Sequence, residues 1–274
     1  MQNTLTMMNS SNPNAPIGVF DSGVGGISVL KHIRVLMPHE QLLYVADSKF
    51  APYGSKSPEL IIERADAIAQ FLIQKGVKAL VVACNTATAA AAETLRANYA
   101  LPIIGMEPAV KPAAQATKTG VIGVLATSGT LKSAQFSALL EHYGQHVQVV
   151  TQACHGLVEC IERGDLNSSE TKALLQSYIQ PLLEANADTI VLGCTHYPFV
   201  RHLIEQLIPK HVVLIDTGAA VAKHLKNRLD ALGLLANTSR HTKLEFWTNS
   251  EHQDAAKVMS QLWGESVRVN HFND

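Results

Sequence analysis

The sequence predicts an α/β protein of two similar lobes with mainly parallel sheets, related by a pseudo-twofold axis, with the active site in the cleft between them. Three observations lead there. Short apolar runs alternate with amphipathic helical stretches along most of the chain, and such alternation builds parallel sheets covered by helices. The stretches "KALVVAC" (78–84) and "DTIVLGC" (188–194) contain continuous apolar runs, the pattern of strands buried on both faces. Finally, the order of elements recurs. Ile17, Gly18 and Val19 align on Ile122, Gly123 and Val124 with an offset of 105, and Cys84 aligns on Cys194 with an offset of 110. A few residues inserted in a loop account for the difference.

Taken in order, "APIGVFDSGVGGISVLKHI" begins with an apolar run at 17–20 and turns polar and glycine-rich at Asp21. It reads as strand, loop and then a helix from about Gly26. "LLYVAD" (42–47) is a second strand. "SPELIIERADAIAQFLIQKG" is a helix that Ser57 caps, Pro58 opens and Gly76 closes. Ile61, Ala65, Ile68 and Leu72 form its apolar stripe. "KALVVAC" follows as a strand, and an alanine-rich helix runs to about Ala97.

The second half repeats this. "TGVIGVLATSGTLKSAQFSALLEHYG" is again strand, small polar turn and helix. "QACHGLVECIERGD" (152–165) reads as a helix carrying Cys154 and Cys160, which share no clear face and are assigned to packing. "SSETKALLQSYIQPLLEANAD" is a capped helix with apolar positions at Leu174, Leu175, Tyr178, Ile179 and Leu182. "DTIVLGC" is the strand that ends at Cys194.

Composition sets outer bounds. The 274 residues suit one large domain or two modest ones. A formal net charge of −1 argues against nucleic acid as main partner, since phosphate binding relies on a basic surface. No apolar run approaches the ~20 residues of a membrane helix. "MQNTLTMMNSSNPNAP" lacks a basic start and an apolar centre, so it reads as a loose leader and not a signal peptide. Cys84, Cys154, Cys160 and Cys194 are expected to be reduced thiols. No CxxC occurs, so no structural zinc is expected.

Two stretches bear chemistry, "VVACNTATAAA" and "VLGCTHYPF". Each runs from a strand through a small residue to a cysteine, then to polar residues at an expected helix start. Open α/β sheets bind ligands at such strand ends. Amides at a helix N-terminus favour a thiolate or a ligand carboxylate, and can lower a thiol from its usual ~8.5. One such cysteine could be a core filler; two at matching points of a repeat point to function. His196 could reach Cys194, contact a ligand or be structural.

"DSGVGG" (21–26) starts like a dinucleotide fingerprint, but position 28 is Ser where Gly or Ala is needed. Its glycines could let backbone amides approach a small anion. Asp21 is either an acid/base assistant or a turn aspartate. In "APYGSKS" (51–57), Tyr53 and the amide of Gly54 could line a cleft, though a plain turn is the simpler reading.

The chain resembles the glutamate racemases, within the cofactor-independent aspartate/glutamate racemase superfamily. The resemblance covers nearly everything after the leader. "IGVFDSGVGG", "APYGSKS", "ACNTATA", "GMEP", "LGCTHYPF" and "IDTGAA" carry it, in the family's order. It implies a two-base mechanism with no pyridoxal phosphate and no metal. Cys84 would act on D-glutamate with help from Asp21, and Cys194 on L-glutamate with help from His196. Asp21, Ser22, Tyr53, Gly54, Asn85, Thr86, Thr195 and His196 would hold the substrate, and Glu162 matches an assisting acidic residue more loosely.

The resemblance further implies a cytoplasmic enzyme making D-glutamate for peptidoglycan, with no need of nucleic acid or membrane. A homodimer and activation by a cell-wall precursor are properties of some relatives. It places the first lobe at 15–108 with 216–274, the second at 109–215, and the leader at 1–14. Lys49, Phe50 and His155 depart from the usual pattern. An aspartate or other acidic amino-acid racemase is the nearest alternative. A non-catalytic two-lobed binding protein for acidic metabolites is a second, and a Cys–His hydrolase, which would leave Cys84 unexplained, a third.

Overall fold

The computed structural model describes residues 12–237, 243–250 and 254–273. Most of the expected leader, 1–11, lies outside the described residues. The end of that stretch is anchored, because Lys78 Nζ donates to the Pro13 carbonyl at 2.5 Å.

Among the described residues ten strands form two sheets: β1 (Ile17–Asp21), β2 (Leu42–Ala46), β3 (Ala79–Val82), β4 (Ile103–Ile104), β5 (Val121–Ala126), β6 (Gln148–Ala153), β7 (Thr189–Leu192), β8 (Val213–Ile215), β9 (Leu244–Thr248) and β10 (Val269–His271). The first sheet runs β10-β9-β2-β1-β3-β4 and the second β6-β5-β7-β8. Every pairing is parallel. The repeat read from the sequence reappears in this topology, since β2-β1-β3-β4 and β6-β5-β7-β8 are the same arrangement. Ile17 stands opposite Leu42 and Ala79, and its repeat partner Ile122 stands opposite Val149 and Thr189. The chain's C-terminal strands β9 and β10 extend the first sheet beside β2.

Both faces of each sheet are covered, which is why β1, β3, β5 and β7 are buried along their whole length. On the first sheet, Ile27, Leu30 and Ile33 pack with Leu225 and Leu229 on one face. Ile61, Ile68, Leu72 and Leu95 cover the other. On the second, Leu175, Ile179 and Leu182 face one way and Phe136 and Leu139 the other. The helix Pro58–Gln74 follows the sequence closely, with Ser57 Oγ accepting from the Leu60 amide at 3.4 Å. Gly76 ends it at φ 77°, a conformation favoured in glycine.

Three local readings change. Asp21 is the last residue of β1, not part of the turn. Cys154 is off the helix: Gly156 at φ 80° breaks the chain direction, and the helix is Leu157–Glu162 with only Cys160 on it. After Cys194 no α-helix begins directly; a 3-10 turn at Tyr197–Val200 precedes the helix Arg201–Leu207.

Candidate active site

Within each sheet the parallel strands point their carboxyl ends the same way, and the segments after β1, β3, β5 and β7 meet at one cavity, through Ser22, Cys84, Thr127 and Cys194. Cys84, two residues past β3, is the N-cap of the helix Asn85–Asn98, and its Sγ accepts from the Ala87 amide at 3.4 Å. Cys194, two residues past β7, sits 3.6 Å from Nδ1 of His196. Both thiols line one small cavity of about 10 Å3, together with Ser22, Tyr53, Gly54, Asn85, Thr86, Thr195 and His196. That is room for about one water. A larger cleft of about 660 Å3 shares Pro52, Gly54, Thr86, Thr127 and Val158 with it and opens outward.

Two expected residues stand behind the cavity. The hydrogen-bond route from Asp21 to Cys84 runs through Ser22: Ser22 Oγ donates to Asp21 Oδ1 at 2.8 Å, and Cys84 Sγ lies 3.8 Å from Ser22 Oγ. Glu162 lies beyond His196, with Oε1 at 2.5 Å from Nε2. The same oxygen accepts the Val24 amide at 2.8 Å, so the glycine-rich turn orients the carboxylate. This is why glycine is needed there. A Cβ on Gly23 would fall 1.9 Å from Glu162 Oε1, and one on Gly25 would fall 2.3 Å from His196 Nδ1.

Burial governs the electrostatics. It raises the Cys84 thiol above its ordinary value, the Asp21 charge adds to this, and the Ala87 amide only partly compensates. The lowering expected of a helix N-terminus is therefore outweighed at Cys84. Burial likewise raises Asp21, against the opposing pull of His196 and Thr195. For His196 burial acts downward, but its contacts with Cys194 and Glu162 win and hold the imidazole well above its usual range. A protonated ring can donate at Nδ1 towards sulfur and at Nε2 towards Glu162.

Asn85 is buried with neither Nδ2 nor Oδ1 hydrogen-bonded among the described residues, although it lines the cavity. Such a side chain is poised for a ligand. Thr86 Oγ1 shares hydrogen bonds with Thr127 Oγ1 at 2.8 Å and Thr130 Oγ1 at 3.1 Å, which bridges the two lobes. Thr127, Thr130 and Val158 line the cavity too and were not anticipated. The repeat holds a signal for one of them, since the offset of 105 that aligns β1 on β5 places Ser22 on Thr127.

The family model described as Asp/Glu/Hydantoin racemase matches residues 27–225. The chain belongs to this family. It is 58% identical to a glutamate racemase from Stutzerimonas stutzeri over 94% of this chain and 97% of that one. Its fold matches the crystal structure of a glutamate racemase isoform from Bacillus anthracis with a TM-score of 0.86 at 31% identity, covering 96% and 98% of the two chains. An Escherichia coli glutamate racemase, crystallised with L-glutamate and the activator UDP-MurNAc-ala, matches with a TM-score of 0.81 at 31% identity over 94% and 98%.

Against the family pattern, His155 is exposed on the rim, with Nε2 3.3 Å from Ser128 Oγ. Cys154 is buried beside the cleft, and burial pushes its thiol up to about 12, which suits packing and not nucleophilicity. Cys160, Asp165 and Glu170 lie close enough together to hold a metal ion. Their polar atoms are engaged, however: Asp165 accepts from Ser168, and Arg163 Nη2 lies 3.5 Å from Cys160 Sγ and 3.4 Å from Glu170. None of the three lines the small cavity. Among the described residues no helix is long and apolar enough to cross a membrane.

Proposed function

We infer that this chain is a glutamate racemase that interconverts L- and D-glutamate and supplies D-glutamate for peptidoglycan. The observation that carries this reading is the convergence of two strand-end cysteines, Cys84 and Cys194, on one cavity between two like-folded lobes. Inverting a stereocentre through a planar carbanion requires a base on one face and an acid on the other, and two lobes related by a repeat supply both.

In the forward direction the Cys194 thiolate takes the α-proton of L-glutamate. The C–H electron pair becomes a carbanion delocalised into the α-carboxylate, and the Cys84 thiol returns a proton to the opposite face. The reverse reaction exchanges the two roles. His196, oriented by Glu162, supports Cys194, while Asp21 acts on Cys84 through Ser22. Asn85, Thr86, Thr195 and the Gly54 amide hold the polar groups of the substrate. Tyr53 contributes its ring, because its hydroxyl is bound to Asp47. The α-proton beside a carboxylate is very weakly acidic, so exclusion of water and aligned hydrogen bonds must lower the barrier. A cavity of about 10 Å3 is too small for an amino acid, so the cleft widens to admit substrate and closes over it.

Lobe limits of 15–108 with 216–274, and 109–215, accompany this reading; the membership of β9 and β10 in the first sheet supports them. A cytoplasmic location, a homodimer and a cell-wall-precursor activator belong to the same reading, and the E. coli relative crystallised with such an activator supports the last. The test is incubation with L-glutamate in deuterated water, followed by circular dichroism and α-deuterium by NMR. The ellipticity should decay to zero as deuterium enters Cα. Constant ellipticity without exchange would sink the reading, and faster turnover of L-aspartate would reassign the substrate.

A further inference from the structure

We propose that Asp47 is a positioning residue for the racemisation site: its buried carboxylate fixes the roof of the cleft, Tyr53–Ser55, and ties that roof to the C-terminal strand β9 through Asn249. The inference rests on the racemase reading for its kinetic consequence and on packing for its structural one.

Asp47 follows β2 and is fully buried. Four hydrogen bonds from three separate segments meet on its two oxygens. Oδ1 accepts from Arg64 Nη2 at 2.9 Å and from Asn249 Nδ2 at 2.6 Å. Oδ2 accepts from Arg64 Nε at 3.2 Å and from the Tyr53 hydroxyl. Arg64 comes from the helix Pro58–Gln74, and Asn249 follows β9, some 200 residues along the chain. A carboxylate out of water is tolerated only when paired and hydrogen-bonded, and the two-pronged contact with arginine also sets direction.

Two departures from the family pattern lie against this arrangement, Phe50 with its ring and Lys49 with its main chain. The Lys49 amide donates to Asn249 Oδ1 at 3.1 Å, and the Phe50 ring lies 4.1 Å from the Arg64 guanidinium carbon. What Asp47 holds in place is close to the reacting atoms. Tyr53 and Gly54 line the cavity with both cysteines. Above them the roof meets the other lobe almost without clearance. A Cβ on Gly54 would lie 2.7 Å from Thr127 Cβ, and one on Gly129 would lie 3.1 Å from the Gly54 carbonyl oxygen. A shift of a few tenths of an ångström in the roof would thus open the site or jam it. Asp47 itself does not line the cavity and acts through the turn it anchors.

The experiment compares the wild-type protein with Asn249→Ala, which removes the bonds to Asp47 and to the Lys49 amide, and Tyr53→Phe, which removes only the hydroxyl bond to Asp47; both leave the Asp47–Arg64 pair in place. Thiol alkylation by iodoacetamide is followed cysteine by cysteine with mass spectrometry, and kcat and KM for L- and D-glutamate are measured per folded molecule. Cys84 and Cys194 should be alkylated at least about threefold faster in both variants, with Cys160, which is buried outside the cleft, unchanged. KM should rise about fivefold or more, in the manner expected when bound geometry is lost. Equal acceleration at all cysteines, or unchanged alkylation with wild-type kcat and KM, would overturn the proposal and leave the cluster a general stability element. The alkylation arm does not depend on turnover. A wild-type protein unable to racemise glutamate would refute the functional reading alone.

Discussion

Thr195 Oγ1 donates to Asp21 Oδ2 at 2.8 Å and so joins the strand ends of two different sheets. The other oxygen of Asp21 accepts from Ser22 Oγ at 2.8 Å and lies 3.3 Å from the Gly23 amide. Both oxygens are therefore committed, and the route from Asp21 to Cys84 passes through Ser22. The site is two relays set back to back, Asp21–Ser22–Cys84 and Glu162–His196–Cys194, with Thr195 linking them.

The first prediction follows from that route. Ser22→Ala should lower kcat/KM about tenfold, less than the ~10²–10⁴-fold contributed by a group that itself transfers the proton, because Ser22 only connects Asp21 to the thiol. The enantiomers have equal free energy, so kcat/KM must fall equally in both directions. The asymmetry should appear as a larger α-deuterium isotope effect with D-glutamate, the substrate assigned to Cys84. Equal isotope effects in both directions would refute the assignment.

Replacing either sulfur should be far more damaging. Cys84→Ser and Cys194→Ser should each reduce racemisation by about a thousandfold, within the range for loss of a general base or acid. A polarimetric assay with either enantiomer is sufficient. Near-normal turnover in either variant would refute the two-base mechanism.

Gly25→Ala should displace His196, since the added carbon would lie 2.3 Å from Nδ1. Misplacement of about 1 Å can cost about a hundredfold in rate, and a loss of at least tenfold is expected, with the far-ultraviolet circular dichroism unchanged.

Asn85→Ala separates stability from function. A buried polar group without a partner costs roughly 1–3 kcal/mol, so its removal should leave the melting temperature unchanged or raised. KM for glutamate should nevertheless rise at least about tenfold. A clear fall in melting temperature would show that Asn85 is a structural residue.

Asp188 provides the pH prediction. It accepts from the Thr117 hydroxyl and the Lys118 and Thr119 amides at 2.6, 2.6 and 2.9 Å. Burial pushes its carboxyl up, but these bonds outweigh it and hold the carboxyl down at about 2. A carboxyl lowered in the folded state adds stability above its unfolded value of ~3.9 and loses that stability as pH falls through the folded value. Asp188→Asn should therefore melt several degrees lower at neutral pH, and the gap should close between about pH 4 and 2. A gap constant across that window would refute the electrostatic account.

Much of this was legible in the chain. Continuous apolar runs and capped amphipathic stretches announced β1, β3, β5 and β7 and the helix Pro58–Gln74, because burial on two faces imposes a local pattern. Cys84 and Cys194 were found by the repeat, which preserves position relative to a strand end. Ser22, Tyr53, Gly54, Asn85, Thr86, Thr195 and His196, which the motifs single out, all line the cavity. Cys154 was misplaced because one left-handed glycine ended a helical pattern earlier than periodicity suggested. Thr127 was overlooked although the repeat pairs it with Ser22.

The sequence by itself determined β1, β2, β3, β5 and β7, the helix Pro58–Gln74 and the two cysteine-bearing strand ends, since those depend on near neighbours and on periodicity. Only the tertiary structure decided how Glu162 comes to stand behind His196, why the Tyr53 hydroxyl is spent on Asp47, and that Asn249 reaches Asp47. These meetings depend on strand order and register across two sheets. The raised Cys84 thiol depends on them as well, because the cost of a charge is set by everything packed around it and not by the residues beside it in the chain.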